Sequence, residues 1–77
     1  MLMVKTNRER FEDVGGKRVQ YLLDKLELLG NCANRNNYEY SVEDIRKMFV
    51  AIRESLKRTE GKFAEELTKQ DKKKFQF

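Results

Sequence analysis

Leu29-Gly30-Asn31-Cys32-Ala33-Asn34-Arg35-Asn36-Asn37-Tyr38-Glu39-Tyr40-Ser41 is the stretch whose reading decides the fold. On either side of it apolar residues recur every three or four positions, the period of a helix with one covered face. Within it that period stops. Gly30 suits the left-handed conformation that ends many helices. The asparagines share that tolerance and close local turns through their side chains. Ser41-Val42-Glu43-Asp44 has the form of an N-terminal cap. Residues 31–41 therefore read as a connector between two helices. Inside it Tyr38-Glu39-Tyr40 alternates, and an extended run there would put both rings on one side.

Working back from the connector, Phe11, Gly15, Val19, Leu22, Leu26 and Leu29 share one helical face and predict a helix over 8–29, about 33 Å long at 1.5 Å per residue. Thr6-Asn7-Arg8-Glu9 is a capping-box sequence, and Asp13–Lys17 is an acid-first pair at i,i+4. Gly15-Gly16 stands against the helix, because each Gly costs about 1 kcal/mol relative to Ala. Two readings are open. In the first the helix is continuous and Gly15 lets the second helix approach closely. In the second the helix begins near Lys17 and 6–14 is a separate short turn. The unbroken phase of the stripe favours the first.

Working forward, Ile45, Met48, Phe49, Ile52, Leu56, Phe63 and Leu67 form a second stripe, with Glu43–Lys47, Glu54–Arg58 and Glu65–Lys69 as supporting pairs. This predicts a helix from Val42 to about Thr59, weakened near Gly61 and continuing to Leu67. Residues 71–77 are expected to fray as a basic tail, since Lys72-Lys73-Lys74 repels itself and only Phe75 and Phe77 could dock. The fold class is all-α: an antiparallel helical hairpin of two long helices in a single domain over 1–70, with Leu2-Met3-Val4 covering one end. Two such hairpins would make a four-helix bundle.

Composition supports a small interaction domain. A core built from 77 residues supplies only about 3–5 kcal/mol of net stability without a metal, a disulfide or a second subunit. Cys32 is the only cysteine and there is no histidine. An internal disulfide is therefore impossible, as is a four-ligand thiolate or imidazole site within one chain. A homodimer or a partner is the remaining source of help. No run approaches the roughly 20 apolar residues of a membrane span, and a cytoplasmic location is expected. The 17 basic and 13 acidic residues give a net charge of +4, half of it in residues 61–77. Such an excess favours encounters with polyanions without specifying one.

Catalysis is not expected. Nucleophilic mechanisms lack a histidine base, and Cys32 follows a helix C-terminus, where the dipole disfavours thiolate. Glu12-Asp13 and Glu65-Glu66 diverge by about 100° on a helix and cannot share a proton. No phosphate-binding glycine loop is present. Neither a cofactor nor a small-molecule substrate is expected.

Binding residues are easier to nominate. Val14, Tyr21 and Leu28 are seven apart and lie about 100° from the main stripe, either as a partner face or as ordinary scattered apolar surface. In the connector Asn34, Arg35, Asn37, Tyr38 and Tyr40 suit a partner or unpaired bases. Equally, the asparagines would form turns and the tyrosines would close the open end of the hairpin. Arg46, Arg53 and Lys57 line one flank of the second helix, and with Arg35 they form a candidate phosphate-tracking edge. Alternatively, their stems cover the core edge with the charges in water. A helix-turn-helix fits poorly, since that motif joins its helices by about 3–4 residues.

The run Arg18-Val19-Gln20-Tyr21-Leu22-Leu23-Asp24-Lys25-Leu26, followed by Leu28–Tyr40 with its Asn-rich segment ending in Tyr-Glu-Tyr, resembles short proteins of phages and conjugative elements of Gram-positive bacteria. The resemblance covers about residues 6–63 and departs from the group at Gly15-Gly16 and in the basic tail. It implies no catalytic residue and no assigned activity, but it does imply a setting. Small charged proteins of mobile elements commonly occupy a surface of a host machine, as anti-CRISPR inhibitors and DNA-processing accessories do. The expected function is a non-enzymatic module that binds a host protein or nucleoprotein and inhibits a defence complex. The alternative is a small nucleic-acid-binding accessory protein.

Overall fold

The computed structural model describes the backbone of residues 5–72 and the side chains of residues 5–69. It is all-helical. Helix α1 spans Asn7–Gly30, a 3₁₀ turn follows at Asn31–Ala33, and helix α2 spans Val42–Lys72. No strand occurs among the described residues. The chain divides into two units, Met1–Glu39 and Tyr40–Phe77, each built around one helix. The expected roles of Leu2-Met3-Val4 and of Phe75 and Phe77 fall outside the described residues.

Both helices begin where the sequence predicts, and for the same reason. At α1 the Glu9 N–H donates to Thr6 Oγ1 and the Thr6 N–H donates to Glu9 Oε1, each at 3.1 Å. At α2 the Asp44 N–H donates to Ser41 Oγ at 3.1 Å and the Ser41 N–H donates to Asp44 Oδ2 at 2.9 Å. Each box satisfies backbone donors that a helix start leaves unpaired. These bonds favour the carboxylate form, so Glu9 and Asp44 are held below the ordinary carboxylate pKa.

Helix α1 runs unbroken through Gly15-Gly16, so the reading with a separate turn over 6–14 is set aside. The Phe11 ring lies 3.6 Å from where a Gly15 Cβ would stand, while nothing lies within 4 Å of the equivalent position on Gly16. Local support comes from Asp13, whose carboxylate receives Lys5 Nζ and Lys17 Nζ, each at 3.1 Å. The lysines hold its pKa down.

Three expectations are corrected. Gly30 does not adopt a left-handed cap: its φ is −59° and its ψ is −29°. The helix tightens into the 3₁₀ turn instead, and the Asn31 N–H is shared among the carbonyls of Glu27, Leu28 and Leu29. That sharing satisfies end carbonyls without a positive φ. Second, α2 is not interrupted at Gly61 and runs past Leu67 to Lys72. No residue there forces a break: Gly61 costs about 1 kcal/mol relative to Ala without blocking helical backbone, and the helix also holds Thr59 and Thr68, whose hydroxyls donate back to the carbonyls of Ser55 and Ala64 at 2.9 Å. Third, none of the three ion pairs predicted on α2 forms as predicted: Glu54–Arg58 is absent among the described residues, and two acids or cations take other neighbours. Glu43 engages Arg46 at 3.0 Å where Lys47 was expected, and Lys69 engages Glu66 at 3.4 Å where Glu65 was expected. Neighbours at i,i+3 and i,i+4 are nearly equivalent in energy, so spacing alone does not choose between them.

No described side chain is buried. An amphipathic helix taken by itself has nothing to cover its stripe, and the exposed stripes are what set the candidate sites.

Candidate interaction site

On α1 the large apolar side chains spread over an arc of about 220° at 100° per residue. Phe11, Val19, Leu22, Leu23, Leu26 and Leu29 occupy most of it. Val14, Tyr21 and Leu28 form its other margin, exposed by 43%, 63% and 57%. Continuity of the helix through the glycines aligns these three along one line. Between the line and the main stripe fall Arg18 and Lys25. Lys25 Nζ sits 4.9 Å from the centroid of the Tyr21 ring, a cation–π contact that gives the line a charged rim. The sequence carried this signal as a Tyr–Lys pair at i,i+4, and it was missed. On the far side Gln20 Nε2 donates to Asp24 Oδ1 at 2.9 Å. At the C-terminal end of the line Leu28 borders a shallow, open depression with Asp24, Glu27, Gly30 and Asn31.

The connector residues divide by role. Asn34 forms the turn: its Oδ1 accepts from the Asn36 N–H at 3.0 Å, and its carbonyl accepts from the N–H groups of Asn37 and Tyr38 at 3.1 and 3.0 Å. This is the asparagine turn that the sequence allowed. It commits the Asn34 side-chain oxygen to its own backbone. Arg35, Asn37 and Tyr38 are exposed, whereas Tyr40 is half-buried. The two tyrosines therefore do not present equivalent rings. Cys32, in the 3₁₀ turn, is an exposed free thiol.

On α2 the basic flank survives only in part. Arg46, Arg53 and Lys57 fall within an arc of about 40°, but Arg46 Nη1 is 3.0 Å from Glu43 Oε2. An exposed pair of this kind adds little stability, yet it offsets charge that a phosphate would otherwise meet. Among the described residues no group of three or more His, Cys, Asp or Glu side chains could hold a metal. The carboxylates with displaced pKa values, Glu9, Asp13 and Asp44, are all shifted downward by hydrogen bonds that hold helix starts or neighbouring lysines. No helix among the described residues is long and apolar enough to cross a membrane.

The class that these features define is all-α, with two long helices among the described residues and amphipathic faces exposed on both. Set against protein-family models, curated proteins and solved structures, the chain matches none.

Proposed function

We propose that this chain is a non-enzymatic interaction module. In this reading α1 and α2 pair as an antiparallel hairpin, and the Val14–Tyr21–Leu28 line, with Asn34, Arg35, Asn37, Tyr38 and Tyr40, receives a protein or nucleoprotein. The observation that carries it is the width of the apolar arc on α1. One neighbouring helix covers roughly a third of a helix circumference, and the apolar side chains of α1 reach over more than half of its own, in two groups with Arg18 and Lys25 between them.

The hairpin half of the proposal is supported by a mirror in the spacing. Phe11, Leu22, Leu26 and Leu29 are separated by eleven, four and three residues, and Phe63, Ile52, Met48 and Ile45 repeat those separations in the reverse direction. Antiparallel stripes so spaced meet residue against residue, and each apolar side chain fully covered contributes about 1.5–3 kcal/mol. The partner is either a second copy, completing a four-helix bundle, or a host protein. Resemblance to proteins of mobile elements favours a host defence complex that the chain inhibits.

The alternative, a nucleic-acid-binding accessory protein, is favoured by one feature. Arg53 and Lys57 share the flank of Arg46 with no acidic residue among them, and Arg35 is exposed in the connector.

One experiment separates the two readings. The partner captured by the wild-type chain is compared with that captured by the Tyr21→Ala/Leu28→Ala variant, and binding is followed across salt. Loss of a salt-tolerant partner by at least tenfold in the variant is the expected outcome. Binding that ignores both substitutions but falls steeply with salt would mean phosphate contacts instead.

A further inference from the structure

We draw no further inference here: the strongest candidate, the Val14–Tyr21–Leu28 line along α1, is an unpartnered apolar face, and nothing in the structure shows what covers it.

Discussion

Helices α1 and α2 solve the same problem with different amounts of apolar surface. Helix α2 has 31 residues and α1 has 24, about 46 and 36 Å at 1.5 Å per residue. The longer helix nevertheless carries the narrower stripe. Its large apolar side chains fall within an arc of about 120°, with Val50 alone about 80° beyond it, whereas on α1 three residues, Val14, Tyr21 and Leu28, widen a main stripe of about 120° to about 220°. One neighbouring helix covers a stripe of the first width, and an arc of the second width leaves a margin beyond it. Length therefore says little about how many contacts a helix seeks; the angular spread of its side chains says more.

The largest effect should come from charging the narrow stripe. Ile52→Asp places a carboxylate at a half-covered position of α2 and is expected to cost about 2–4 kcal/mol. Val50→Asp, off the stripe and 42% exposed, should stay within about 0.5 kcal/mol. Thermal melts followed by circular dichroism read both, and equal behaviour would mean that the stripe has no neighbour at all.

Removing the start signals comes next. Ser41→Ala and Thr6→Ala are each expected to cost about 1 kcal/mol. The loss at α1 should be the smaller, because Asp13 still holds Lys5 and Lys17 across its first turns. Amide exchange in the first turn of each helix measures the difference, and a larger loss at α1 would contradict this account.

Glycine replacement should act in the opposite direction. Gly16→Ala and Gly61→Ala meet no atom within 4 Å and have no positive φ to strain. Each is expected to stabilise its helix by about 0.5–1 kcal/mol. Gly15→Ala would meet the Phe11 ring first, at ordinary contact distance, and should behave like Gly16→Ala. Destabilisation there would instead reveal another helix lying against Gly15.

Acid gives the smallest effect, and its sign is fixed. Carboxylates whose folded pKa is depressed stabilise the fold above the ordinary carboxylate range, and that contribution is lost as pH falls through the folded value. Glu9 and Asp13 act on α1 and Asp44 on α2, so α1 should loosen more below about pH 4. Carboxylate chemical shifts followed by NMR from pH 6 to pH 2 would show it, and titration of all three at ordinary values would refute it.

Much of this was legible in the sequence where the determinants are local. Thr6 with Glu9, Ser41 with Asp44, and the three- and four-residue stripes act within one or two helical turns, so reading along the chain finds them. The end of α1 was misread because Gly30 permits a left-handed cap without requiring one. A 3₁₀ turn satisfies the same carbonyls. The extent of α2 was underestimated because an intrinsic cost at Gly61 was given more weight than the stripe that stays in phase across it, from Leu56 to Phe63 and Leu67. Which cation meets Glu43, and which carboxylate meets Lys69, was not legible, since competing neighbours differ by tenths of a kcal/mol. The candidate faces follow from periodicity alone, but the commitment of Asn34 to its own turn needed coordinates.

Both capping boxes are confined to four consecutive residues, and that has a practical consequence. Cutting the chain between Glu39 and Tyr40, at the border of its two units, leaves each box whole on its own peptide. Neither fragment loses the information that starts its helix, and neither inherits a tether to the other. Mixing the two peptides would thus test the proposed pairing of the stripes as a bimolecular titration, free of the effective concentration that a covalent link imposes.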